Sequence, residues 1–176
     1  RSTDWFKHML FEHMFDSPHY PAPCERVKSG VKVRFMTDEH PSIAAFRAAH
    51  QQLGGTGRIV TLPESVHTAA LAAEALGCAV GAIANSLLFD AGGAPVLILT
   101  SGDHRVDVTA TAARIGRAAL KRATPEFVRA HTGQVIGGVS PLAHPAPVPT
   151  YIDSWLRRYD VIWAAAGHPN GVFRLS

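Results

Sequence analysis

The sequence predicts an α+β (mixed α/β) domain, a curled mixed β-sheet with helices packed on it. Three observations carry this. Four segments with helical spacing each stop at a glycine: Gly54, Gly77, Gly116 and Gly133. Short runs of strand-forming residues lie between and after them. Two pairs of those runs are joined by hairpin connections, Asp90–Ala94 and Gly167–Asn170, which excludes a purely parallel array.

The first helix opens at Pro41, whose fixed φ suits a first turn, and puts Ile43, Phe46, His50 and Leu53 on one face. The second runs from Thr68 to Leu76 and is rich in alanine and leucine. Asp107 caps the third, which carries Val108, Ala112 and Ile115. Thr124-Pro125-Glu126 starts the fourth with a hydroxyl cap, a first-turn proline and an acid near the positive end of the helix dipole. A glycine just past each cap tolerates the left-handed conformation that closes a helix, so the four endings have one cause. The strand candidates are Arg58–Leu62, Ala82–Phe89, Pro95–Thr100, Ala118–Arg122, Gln134–Gly138, Asp160–Ala166 and Gly171–Leu175.

With 176 residues, 47% of them hydrophobic and 18% charged, the chain can bury the core of one domain. No apolar run approaches the roughly 18 residues of a membrane-spanning helix. Cys24 and Cys78 are too far apart for a disulfide framework, which points to a reducing, cytoplasmic setting. The composition shifts at Met36. Residues 1–35 hold one alanine, Ala22, but six of the 14 aromatic residues, and the tract Ser17–Pro23 breaks any helix. They carry six basic and four acidic residues, against eleven and ten in 36–176, so most of the net +3 sits in the leader. The leader lacks the apolar core of a secretory signal. The expectation is a poorly ordered or non-native extension over 1–35 and a working domain over 36–176.

Several motifs fail. Gly54-Gly55-Thr56-Gly57 follows a helix and precedes a strand, the reverse of a dinucleotide-binding order. No Gly-x-Ser-x-Gly elbow occurs. The ten histidines show no i, i+4 pair on a helix and no clustered cysteines or acids, so no metal and no cofactor is expected. Asp103-His104-Arg105-Val106-Asp107 has catalytic residue types and reads equally well as a helix-capping loop. Arg114, Arg117, Lys121, Arg122 and Arg129 form a basic run broken only by Glu126. It is either a solvated face or a phosphate-contacting surface.

The most informative stretch is Gly133–Ala143. Apolar residues lead into Gly137-Gly138, then Ser140 and Pro141. Spacing alone allows a glycine bulge leaving a sheet, or a loop whose free N–H groups hold a carbonyl or a developing oxyanion. Four segments stand out together: Ala82-Ile-Ala-Asn-Ser-Leu-Leu-Phe89, Gly137-Gly-Val-Ser-Pro-Leu142, Pro149-Thr-Tyr-Ile-Asp153 and Ala164-Ala-Ala-Gly-His-Pro-Asn170. In these the chain resembles the YbaK / prolyl-tRNA-synthetase-associated domain family of trans-editing aminoacyl-tRNA deacylases.

The resemblance implies a barrel-like mixed sheet and hydrolysis of the ester between a wrong amino acid and the tRNA 3′ adenosine. It makes Gly137, Gly138, Ser140 and Pro141 the loop that holds the aminoacyl carbonyl, with N–H groups around Gly138 and Ser140 facing the oxyanion. It places His168 and Asn170 beside the amino-acid pocket, with Ser86 and Ser101 as pocket-facing strand residues. The basic run would meet tRNA. Mischarged tRNA is the expected partner, with an aminoacyl-tRNA synthetase as a further one, and neither membrane nor DNA. Asn85 stands where many relatives carry a lysine, and it offers a neutral donor and acceptor in place of a charge. Asn85 is therefore either a water- or ribose-binding catalytic group or the mark of a tRNA- or nucleotide-binding module that lost its chemistry. Relatives often continue into a further C-terminal helix beyond the position of Ser176.

Overall fold

The computed structural model describes residues 13–14, 39–63, 66 and 68–175. Its elements are β1 (His13–Met14), α1 (Pro41–Gln52), β2 (Ile59–Thr61), α2 (Ala69–Leu76), β3 (Ile83–Asp90), β4 (Pro95–Ser101), α3 (Val108–Arg114), β5 (Lys121–Arg122), α4 (Pro125–Thr132), β6 (Thr150–Asp153), β7 (Ile162–Ala165) and β8 (Gly171–Leu175). A 3-10 turn over Val80–Ala82 leads into β3, and another over Ser154–Arg158 follows β6. Apart from β1, the segment 1–35 and its expected disorder lie outside the described residues.

The helices close as their sequence dictates. Thr68, Asp107 and Thr124 each accept the N–H three residues on through their side chains. Gly54, Gly77, Gly116 and Gly133 all have φ between +66° and +78°, which only glycine adopts without steric cost. On α1, Ile43, Phe46 and His50 are buried, whereas Leu53 is exposed because it lies past the last turn.

The sheet is mixed, in the order β1-β6-β4-β3-β7-β8-β2, with β5 pairing β3. Both expected hairpins are present: β3 and β4 pair antiparallel from Ala84↔Ser101 to Asp90↔Pro95, and β7 pairs β8 likewise. The sheet is open, with β1 and β2 at its two ends. Two expected strands change. Residues 134–138 form a turn closed by the Gly138 N–H to the Val135 carbonyl (2.9 Å), with Gly137 at φ +85°. A strand cannot continue through that conformation. Ala118–Arg122 shrinks to the two residues of β5, beside the inward-turned Leu120 and Ala123. Conversely, β6 is an interior strand that the prolines just before it, at 145, 147 and 149, conceal in the sequence.

Core packing leaves an opening beside β3. On one face α1 and α4 bring Phe46 and Val128 onto Leu88, Leu97, Leu99, Ala164 and Phe173. Phe46 and Phe173 meet with ring centroids 4.7 Å apart, and burial of each such ring is worth about 1.5–3 kcal/mol. On the other face α2 covers Ile83, Trp163 and Val172, while Ala112 of α3 and Leu120 cover Phe89, Val96 and Ile98. Asn85 and Leu87 fall between these two covers, and Leu87 remains 37% exposed. Among the described residues, no helix is long and apolar enough to cross a membrane.

Candidate functional site

A cleft of about 780 Å³ opens at this uncovered stretch of β3, a size suited to a small-molecule or nucleotide-end ligand. The strand pairing explains it. β7 reaches β3 only at Ile83 and Ala84, and β5 only at Phe89 and Asp90. Among the described residues, 85–88 therefore have no strand partner on that side. Their edge forms a slot lined by Asn85, Ser86, Leu87 and Leu88.

Asn85 and Ser86 both line the slot, and as successive residues of a strand they lie on its opposite faces. The Ser86 hydroxyl is buried and has no hydrogen-bond partner. An unsatisfied buried hydroxyl costs free energy. Ser101, by contrast, lies in the core at 0% exposure. It donates to the Gly81 carbonyl (2.9 Å) and accepts the Asp103 N–H (3.3 Å). Ser101 is therefore not among the lining residues, and its hydroxyl is occupied.

The glycine–proline loop forms another wall, through Ile136, Gly137 and Val139. Gly138 sits directly against the β7–β8 hairpin: a Cβ there would lie 2.6 Å from the His168 carbonyl carbon. Ser140 is fully buried and saturated with bonds. Its N–H goes to Gln134 Oε1 (2.7 Å), and its hydroxyl accepts from Gln134 Nε2 (3.0 Å) and donates to the Leu142 carbonyl. Its carbonyl accepts the His144 Nε2–H (2.8 Å). Pro141 is buried beside it. The Gly138 and Ser140 N–H groups are thus committed inside the loop. Those of Gly137 and Val139 make no bond among the described residues, and both residues line the cleft.

His168 and Asn170 build the hairpin turn instead of lining the cleft; its lining residue there is Pro169. His168 Nδ1 accepts the Asn170 N–H (3.2 Å), and its ring lies 4.0 Å from that of His40. The Asn170 carbonyl holds the Leu62 N–H (2.6 Å). The basic residues are mostly exposed but occupy several elements: Arg114 ends α3, Arg117 follows it, Lys121 and Arg122 are β5, and Arg129 lies on α4. Arg122 reaches the cleft, as does Arg105.

Sequence reasoning did not assemble one further group. Asp153, at the end of β6, is 3% exposed. Its Oδ2 accepts from His104 Nδ1 (2.7 Å), Ser101 N–H (3.1 Å) and Thr100 Oγ1 (3.4 Å), and its Oδ1 accepts the Trp155 N–H (2.9 Å). His104 and Thr100 line the cleft, and Thr100 is the cross-strand partner of Asn85. The polar loop 103–107 and the motif ending in Asp153 were both visible in the sequence. Nothing in either signalled that they meet. Among the described residues, no group of three or more His, Cys, Asp or Glu side chains could hold a metal ion.

Comparison with known proteins agrees with this architecture. Residues 63–176 match the aminoacyl-tRNA editing domain family. The uncharacterized protein YwhH of Bacillus subtilis (strain 168) is 32% identical over 138 residues, covering 77% of this chain and 86% of that protein. A proline–tRNA ligase of Levilactobacillus brevis is 28% identical over 152 residues, covering 86% of this chain but only 24% of the ligase. The crystal structure of a protein proposed as a trans-editing enzyme for prolyl tRNA synthetase superposes with a TM-score of 0.75 at 40% identity, covering 79% of this chain and 88% of that one. The slot beside β3, the glycine–proline loop over it and these matches lead to one conclusion: the chain belongs to the aminoacyl-tRNA editing domain family.

Proposed function

We propose that this chain is an aminoacyl-tRNA deacylase, which hydrolyses in trans the ester joining a wrongly attached small amino acid to the 3′ adenosine of a tRNA. The observation that carries this reading is the cleft's set of unspent polar groups. The Gly137 and Val139 N–H groups belong to residues lining one apolar-walled slot, and they have no partners among the described residues. Two backbone donors can hold an ester carbonyl and gain strength as it becomes an oxyanion. Asn85 supplies an amide donor and acceptor for a ribose hydroxyl or the attacking water. Ile83, Ala84 and Trp163 bound the slot with apolar surface and select by size. One methylene is worth only about 1–3 kcal/mol of discrimination, which is why a separate hydrolytic sieve is useful.

Arg105 and Arg122 at the cleft, continued by Arg114, Arg117, Lys121 and Arg129, supply positive charge for the phosphates of the tRNA end. The tRNA arrives free or from a synthetase docked beside the domain. Residues 36–176 are the working unit, and removal of 1–35 is expected to leave cooperative melting and turnover intact. Cytoplasm, where charged tRNA is used, is the corresponding location.

The test is a panel of tRNAs, tRNA-Pro among them, esterified with alanine, serine or cysteine, followed for release of the amino acid. Turnover of at least one, reduced by Asn85→Ala, is the expected result. The neutral Asn85 favours a second reading, a module that binds tRNA ends without chemistry. Measurable tRNA binding with no release from any ester would establish that module in place of the enzyme.

A further inference from the structure

We propose that His104, held by Asp153, is the general base that activates the hydrolytic water in this cleft. The proposal rests on the deacylase reading and adds to it the proton acceptor that the other lining groups cannot provide. Asn85, Ser86 and Thr100 offer only neutral amide and hydroxyl groups, and Arg105 and Arg122 only donors.

The geometry supports the role in three ways. First, Asp153 is buried and already accepts the Ser101 N–H and the Thr100 hydroxyl, so it meets His104 as a carboxylate acceptor. His104 Nδ1 must then carry the hydrogen in their 2.7 Å contact. In the neutral imidazole that assignment leaves Nε2 with its lone pair, and Nε2 has no partner among the described residues. Second, the ring is fixed from a second side by Trp155, at 4.8 Å between centroids, so the imidazole is oriented and not free to swing. Third, His104 lines the cleft, and Thr100, which shares the same Asp153 oxygen, faces Asn85 across the β3–β4 ladder. Asn85, Thr100, Asp153 and His104 thus form one polar strip along the slot.

The step balances without a co-reactant. Nε2 takes a proton from water as the water oxygen bonds to the ester carbonyl carbon. The carbon–oxygen bond to the ribose then breaks, and the imidazolium returns the proton to the departing ribose oxygen. Free amino acid and the tRNA 3′ hydroxyl result. The charged and titratable groups around the ring are Asp153, Asp103 and Arg105 of its own loop, Arg158 lying 3.4 Å over the Trp155 ring, and Arg122 in the same cleft.

The experiment compares the full chain with His104→Gln, which can still donate to Asp153 but cannot take a proton, and with His104→Ala. Single-turnover deacylation of the best ester in the panel is expected to fall about 10²–10⁴-fold in His104→Gln, with tRNA binding and melting temperature unchanged. Added imidazole is expected to restore part of the rate in His104→Ala, which a merely structural role does not explain. Wild-type turnover by His104→Gln overturns the proposal while leaving the deacylase reading in place. If either variant misfolds, the unmodified protein decides: a general base moves a proton as the water attacks, so single-turnover rates that are equal in H2O and D2O overturn the proposal. No release from any ester by the unmodified protein overturns both readings together.

Discussion

Gly138→Ala is the sharpest probe of how the loop is held. A Cβ at this position would lie 2.6 Å and 2.7 Å from His168 backbone carbons and 2.8 Å from Pro169 N, against an ordinary contact of at least 3.4 Å. The obstructing atoms are backbone of the β7–β8 hairpin, so no side chain can swing away. Loop and hairpin must separate by about 0.8 Å, the difference between 3.4 and 2.6 Å. Such overpacking typically costs about 1–3 kcal/mol, or a fall of about 3–10 °C in melting temperature for a chain of this size. The same shift displaces the neighbouring Gly137 and Val139 donors, and an error near 1 Å in a reacting geometry can cost about 100-fold in rate. Gly137→Ala is the control. Its Cβ would meet Pro169 at an ordinary 3.7 Å, so its penalty arises from φ +85° instead, about 1–2 kcal/mol, with the wall in place. Thermal melts read by circular dichroism, together with deacylation assays, compare the two. Gly138→Ala melting within about a degree of wild type, or the two variants matching in turnover, would refute this account of the wall.

Gln134→Ala removes the acceptor of the buried Ser140 N–H. The change is expected to cost about 1–3 kcal/mol in urea unfolding, with turnover reduced through the loop; an unchanged midpoint counts against the clamp. Burial pushes the His144 imidazole below its ordinary value, partly opposed by its bond to the Ser140 carbonyl. It also lowers His50, where the Arg47 charge adds to the effect. The unfolded chain then takes up protons that the folded one resists. Stability is expected to be full above about pH 6.5 and to decline as pH falls from there toward the depressed folded values. Equilibrium unfolding between about pH 8 and 5.5 tests this, and a flat profile contradicts it. Replacing Arg117, Lys121 and Arg129 together by glutamine should weaken tRNA binding and flatten its salt dependence, by about 0.7–0.9 in the log–log slope for each phosphate no longer neutralised. An unchanged slope places the tRNA elsewhere.

Much of this fold was legible because its signals are local. A helix cap, a first-turn proline and a closing glycine each act within a turn of chain, so all four helices stand where the sequence places them. The two hairpins are local in the same sense. Local signals also misled. Gln134–Gly138 has strand-forming residues, but the bond from Gly138 to Val135 and the left-handed Gly137 turn it back on itself. β6 is hidden in the sequence because three prolines run up to it, and its place in the sheet depends on pairing with the distant β4, Leu97 opposite Thr150.

By itself, the sequence determined the element order, the mixed character of the sheet and the loop that identifies the family, because capping, turn chemistry and glycine spacing are short-range properties of the chain. It did not determine which polar groups are available. Ser101 and Ser86 look alike as strand serines, yet Ser101 donates its hydroxyl to the Gly81 carbonyl while the Ser86 hydroxyl is buried without a partner. Gly138 and Ser140 resemble oxyanion donors, yet Val135 and Gln134 already hold their N–H groups. His104 and Asp153 stand 49 residues apart in sequence and 2.7 Å apart in space. Availability depends on which partners packing brings within hydrogen-bonding reach. That is a property of strand register and of the sheet edge left unpaired at residues 85–88, and only the tertiary structure decides it.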